Sequence, residues 1–107
     1  TGPSFVAELK DGKVTEFEVS PEDAGIAIAR PDDLKGGDPA TNAAALTAVL
    51  AGEAGPYRDV TLYNAAAALL IADKASDLKD GVAQAIAAID GGNAKKTLDK
   101  LIACTNV

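Results

Sequence analysis

Several short stretches of this 107-residue chain carry residue types that could do chemistry. Gly36-Gly37-Asp38 stands at a helix start and resembles a phosphate loop, since the free N–H groups at a helix N-terminus attract anions. The aspartate reverses that reading: its carboxylate caps the helix and repels phosphate, so a structural role is expected. Glu22-Asp23 and Asp32-Asp33 are acid pairs of the kind that hold hard cations. A cation site needs several converging oxygens, and neither pair has a spacing that supplies them. Acids in the first turn of a helix account for both. Arg58, next to Asp59, offers a guanidinium that could clamp a carboxylate or phosphate through two parallel bonds. Pairing with Asp59 or Glu53 is its plainer role. Lys95, Lys96 and Lys100 form a small basic face, expected to be solvated. Cys104 would need a base to act as a nucleophile. The chain has no His, so Cys104 reads as a small hydrophobe of the last helix.

Two asparagines raise a separate question. Asn42 and Asn64 each begin an Asn-Ala-Ala-Ala phrase inside an alanine-rich helix. Helical spacing puts Asn64 beside Val60, Ala67 and Ala68, on a side expected to be buried. An unpaired buried amide costs about 1–3 kcal/mol. Both asparagines are therefore expected to bond backbone in adjoining loops, with the alanines permitting close approach; an orienting role in ligand binding is the functional alternative. The phrases do not extend into a longer repeat, so no solenoid is expected.

The elements that must position these residues begin with a β-hairpin over 4–19, turning at Asp11-Gly12. Side-chain parity favours a three-residue loop, Lys10-Asp11-Gly12, with Gly12 left-handed in a bulge. That register gathers Phe5, Ala7, Leu9, Thr15, Phe17 and Val19 on one face and separates apolar from charged residues. Ser20-Pro21-Glu22-Asp23 starts a short helix that Ala24-Gly25 ends. Residues 26–37 are irregular, with a turn at Pro31-Asp32-Asp33-Leu34. Four helices follow: about 39–51 capped by Asp38, about 57–72, about 77–90 capped by Ser76, and about 94–104 capped by Asn93.

Composition limits the partners. The net charge is −6 and the pI about 4.4, which argues against nucleic acid or an anionic membrane surface. No apolar run approaches the roughly 20 residues of a membrane span. A single Cys permits no internal disulfide and suits a reducing cytosol. The hydrophobic fraction is 48%, yet there are two Phe, two Tyr, no Trp and no Met. Alanine buries little area, so a domain of this size is expected to be marginal alone. A chain that lacks Met and opens on Thr1-Gly2-Pro3 reads as a piece of a larger protein.

The ordered phrases resemble a family. Thr1-Gly2-Pro3-Ser4, the hairpin and Ser20-Pro21-Glu22-Asp23-Ala24-Gly25 come first. Asp33-Leu34-Lys35-Gly36-Gly37-Asp38, Asn42-Ala43, Leu50-Ala51-Gly52 and Gly55-Pro56-Tyr57-Arg58-Asp59 follow at matching spacing. Asn64-Ala65-Ala66-Ala67-Ala68-Leu69, Leu78-Lys79-Asp80-Gly81-Val82 and Ile89-Asp90-Gly91-Gly92 complete the series. Together they resemble the C-terminal part of the anthranilate phosphoribosyltransferase family of tryptophan biosynthesis, over essentially residues 1–107.

The resemblance implies an α/β fold: the end of a mixed-sheet domain of the phosphoribosyltransferase and nucleoside-phosphorylase type, present as a hairpin and about four helices. It implies a cytoplasmic parent enzyme that moves a phosphoribosyl group from phosphoribosyl pyrophosphate to anthranilate, with Mg²⁺ on the pyrophosphate. It further implies a homodimer formed through a separate helical domain. The family's Gly-Thr-Gly-Gly-Asp loop, Lys-His-Gly-Asn-Arg stretch and Asp-Glu metal pair are not in this sequence; the metal pair falls just before the point matching Thr1. No catalytic, cofactor-binding or metal-binding residue is therefore carried over, and the chain alone is expected to be inactive. The alternative from another class is an independent, acidic α+β module that binds a protein without catalysis.

Overall fold

A computed structural model describes the whole chain, Thr1–Val107. Strands β1 (Ser4–Lys10) and β2 (Lys13–Val19) form an antiparallel hairpin, followed by 3-10 turns at Pro21–Ala24 and Pro31–Leu34. Four helices complete the chain: α1 (Pro39–Leu50), α2 (Pro56–Ile71), α3 (Leu78–Asp90) and α4 (Asn93–Thr105). The expected α/β architecture of one hairpin and four helices is present.

The hairpin register differs from the expectation. Ser4 lies opposite Val19, Ala7 opposite Glu16 and Lys10 opposite Lys13, leaving a two-residue turn. Asp11 and Gly12 both have positive φ, 53° and 75°, the type I′ geometry whose twist suits a two-residue hairpin. Phe5, Ala7 and Leu9 thus share a face with Val14, Glu16 and Glu18, while Val6 shares the other with Thr15, Phe17 and Val19. Parity would decide the register if one face were buried. Here neither is covered. Among the strand residues only Val6 and Val19 are even half-buried, so turn geometry prevails.

Local signals set most of the helix starts. Asp38 Oδ1 accepts the Thr41 N–H at 2.8 Å and caps α1. The cap of α3 is Asp77, not Ser76: Asp77 Oδ1 accepts the Asp80 N–H at 2.7 Å. The Ser76 N–H instead donates to Asp80 Oδ2 at 2.9 Å. Asn93 is already inside α4, whose cap is Gly92 at φ 83°. Gly92 can adopt the left-handed turn that Asn93 would enter only at a cost, so the boundary falls one residue earlier.

The core lies where α2 and α3 cross. Leu62 and Ala66 of α2 meet Val82, Ala85 and Ile89 of α3, with Ala24 and Val49 closing the sides. Ala66 is fully buried. At Gly81 the two backbones nearly touch: a Cβ there would lie 2.8 Å from both Cα and Cβ of Ala66. α4 contributes no buried residue; Leu101, Ile102 and Cys104 are exposed, which corrects the packed role expected for the cysteine.

The result is an open molecule. Its Cα radius of gyration is 15.4 Å, against about 13 Å for a compact chain of this length. Its accessible surface is 7411 Å², roughly 1,900 Å² above the value of about 5,500 Å² that surface scaling gives for this mass.

Candidate functional site

The residues singled out by sequence are spread from the segment before α1 through α1 and α2 to α4 and do not converge on one point. The loop before α1 is closed by Asn42. The Gly37 N–H donates to Asn42 Oδ1 at 2.9 Å, and Asn42 Nδ2 donates back to the Gly37 carbonyl at 3.0 Å. This is the loop-tying role expected of Asn42, made from an exposed position. A Cβ on Gly36 would come within 3.0 Å of the same Oδ1, so the glycines serve loop closure. The Thr41 N–H bond holds the Asp38 carboxyl below its ordinary range, and that N–H is unavailable to a phosphate. Asn42→Ala is expected to cost about 1 kcal/mol and to raise hydrogen exchange at Gly37 while leaving α2 and α3 unchanged.

Asn64 departs from its expected role. It is exposed, and its Nδ2 donates to the Val60 carbonyl one turn earlier in α2, at 2.9 Å. The side of α2 that carries it faces an open groove rather than a packed loop. That groove, about 310 Å³, is bounded by Thr1, Ser4, Ile26, Asp59, Tyr63 and Asn64. At its wall the Tyr63 hydroxyl is buried without a hydrogen-bond partner, an uncommon state for a polar atom. Burial, then the charge of Asp23, pushes the Tyr63 hydroxyl above its usual pKa. Sequence reasoning missed Tyr63, because one aromatic in an apolar helix carries no local signal. It also missed Tyr57, whose hydroxyl donates to the Lys35 carbonyl at 2.6 Å and pins the Pro31–Asp38 region to α2.

Arg58 does clamp a carboxylate, but within the chain. Its two terminal nitrogens donate to Asp90 Oδ1 and Oδ2 at 2.8 and 3.0 Å, joining the start of α2 to the end of α3. Neither Asp59 nor Glu53, the partners expected from sequence, makes this pair. The hydrogen bond from Arg58 holds the Asp90 carboxyl below its ordinary range, against the opposing effect of burial. A carboxyl depressed on folding adds stability above its unfolded pKa of about 3.9, and that stability is lost as pH falls through the folded value. Acid titration of the melting temperature is therefore expected to be shallower below about pH 4 in Asp90→Asn than in the parent chain.

The acid pairs are separately engaged. Asp23 accepts the Ser20 N–H at 2.8 Å, and Asp33 pairs with Arg30 at 3.0 Å, which holds its carboxyl low. Lys95 pairs with Asp99 at 3.3 Å on the surface of α4. No three Cys, Asp or Glu side chains gather where they could hold a metal ion, so the residues present do not fit a magnesium site. A second cleft of about 420 Å³ runs between the hairpin and α2, lined mainly by apolar side chains including Val6, Leu9, Phe17, Ala67 and Leu70. No helix is long and apolar enough to cross a membrane.

Comparison with known proteins completes the picture. Residues 1–95 match the sequence model described as glycosyl transferase family, a/b domain. An anthranilate phosphoribosyltransferase of Parvibaculum lavamentivorans is 59% identical over 106 residues, covering 99% of this chain and 31% of that protein. One from Rhodopseudomonas palustris strain TIE-1 is 59% identical over 103 residues, covering 96% and 30%. One from Methylocella silvestris is 53% identical over 106 residues, covering 99% and 30%. The chain thus spans about 30% of the length of these curated relatives.

Proposed function

Because the chain belongs to the glycosyl transferase family, a/b domain, we propose that residues 1–107 are the C-terminal portion of the α/β domain of an anthranilate phosphoribosyltransferase. The parent enzyme joins phosphoribosyl pyrophosphate to anthranilate in the cytoplasm, as a homodimer assembled through a separate helical domain. The observation that carries this reading is the 59% identity to such an enzyme over nearly the whole chain. The open architecture supports it: an isolated hairpin is marginal in water, and this one has both faces uncovered. The relatives lend no support to an independent interaction module.

In this reading the chain is scaffold. Transfer to the amine requires the two substrates held in line and charge stabilisation on the departing pyrophosphate. Mg²⁺ supplies part of that charge, and its ligands lie on the parent outside these residues. What this chain contributes is the α2–α3 crossing, the Arg58–Asp90 clamp and the Asn42 loop closure. The test is to extend the reading frame upstream, purify the longer protein and follow anthranilate fluorescence with phosphoribosyl pyrophosphate and Mg²⁺. Loss of fluorescence with the longer protein, and none with the 107-residue chain, is expected. Transfer by the 107-residue chain alone, or a longer protein inert toward anthranilate, would overturn the reading.

A further inference from the structure

Asn64 holds an unused acceptor at the wall of the groove into which the start of the chain leads. Thr1, Gly2, Ile26, Val60, Tyr63 and Asn64 are among its lining residues. The Asn64 Nδ2 donates to the Val60 carbonyl at 2.9 Å. A carbonyl only accepts, so the amide fits one way round and the oxygen left over is Oδ1. No group of the chain donates to that oxygen. β1 begins at Ser4, and Pro3 biases Gly2 toward extended backbone. The chain thus enters the strand extended, with Thr1 and Gly2 already in the groove.

We propose that in the longer protein the few residues immediately upstream of Thr1 lie extended in this groove, and that Asn64 Oδ1 accepts a backbone N–H from them. This rests on the reading above only in taking residues 1–107 as the later part of a longer chain, as their 31% share of the Parvibaculum lavamentivorans relative implies. Three observations favour that occupant over a small molecule or a second copy. Polypeptide that precedes Thr1 starts inside the groove, so it docks within one molecule and loses little translational freedom. An extended segment turns the N–H groups of alternate residues to one side, so a donor reaches the wall in either register. The Asn64 acceptor has no use within residues 1–107, where alanine would form the helix better. Covering the groove strips water from Oδ1, and a buried acceptor without a donor is costly. A backbone N–H from the covering segment removes that cost. The groove is then an internal seam of the longer protein, and Asn64 is a positioning residue for the chain that enters β1.

Hydrogen exchange of the longer protein, read by mass spectrometry, tests it with Asn64→Ala, Asn64→Leu and Asn64→Asp. Alanine removes the side-chain amide. Leucine keeps its volume without an acceptor, so the result does not depend on a cavity. Aspartate keeps the acceptor and loses only the bond to Val60. The expected result is that amides just upstream of Thr1 are protected in the unsubstituted protein and exchange about fivefold faster in Asn64→Ala and Asn64→Leu. Asn64→Asp should stay close to the unsubstituted protein, because a carboxylate accepts at least as well. Peptides covering α3 should exchange alike in all four, which reports that the domain is folded. An upstream segment that is unprotected, or whose protection survives Asn64→Leu, would overturn the proposal. So would equal loss in Asn64→Asp, or protection that grows with protein concentration, which would assign the groove to a second copy. Anthranilate transfer by the same samples keeps the two readings apart. A longer protein inert toward anthranilate sinks the enzymatic reading and leaves the exchange result standing; an active one whose upstream exchange ignores Asn64 sinks this proposal alone.

Discussion

Gly81→Ala is expected to lower the stability of the chain by about 2 kcal/mol. Two effects oppose each other. Alanine is a better helix former than glycine by about 1 kcal/mol, and α3 would gain that much in isolation. Against this, the new Cβ would sit 2.8 Å from Ala66 Cα and Cβ and 2.9 Å from the Ala66 carbonyl oxygen. Those atoms are mostly backbone of the facing helix, so no side-chain rotation relieves them. Overpacking of this kind costs about 1–3 kcal/mol, and a rigid backbone obstacle places the cost at or slightly above the upper end. The repulsion wins, and the two helices must move apart. Thermal unfolding followed at 222 nm should show a fall of about 10 °C, from the usual relation between free energy and midpoint in small domains. A midpoint unchanged or raised would mean that α2 and α3 do not cross at this position.

Leu62→Ala is expected to be more damaging, by about 3 kcal/mol. Leu62 is 4% exposed and, with the isomeric Ile89, is one of the two largest side chains in a core otherwise built from Ala24, Val49, Ala66, Val82 and Ala85 together with Pro21 and Gly81. Small neighbours cannot lean in to fill the space it leaves, so most of the cavity would persist. Only nine residues are buried in all, so the loss falls on a core with little reserve. The variant should melt without a cooperative transition, whereas Leu101→Ala on the exposed face of α4 should stay within about 0.5 kcal/mol of the parent. Equal melting curves for Leu62→Ala and the parent would refute the assigned core.

The contrast between these two residues and the candidate functional residues is instructive. Gly81 appeared in the sequence only as part of a family phrase and Leu62 not at all, yet they set the packing of α2 against α3. Glycine in a helix interior ordinarily reads as a weakness. Its purpose here is visible only against Ala66, fifteen positions earlier in the chain.

What the sequence determined by itself is what depends on neighbours within a few residues, together with what is written in order along the whole chain. Helix ends at Asp38, Gly25 and Gly91-Gly92, the turn at Asp11-Gly12, and the run of one hairpin and four helices follow from caps, turns and periodicity, which act over four residues or fewer. The family was legible because its phrases recur in sequence, without reference to contacts. The tertiary structure decided the rest. Arg58 took Asp90, 32 positions away, over its near neighbours. Asn42 found Gly37 while Asn64, with an open groove before it, turned back on its own helix. The hairpin register followed the twist of its turn because no layer covers either face. A side chain's partner is set by what the fold brings within about 3 Å of it, and one-dimensional spacing constrains that only along a single element.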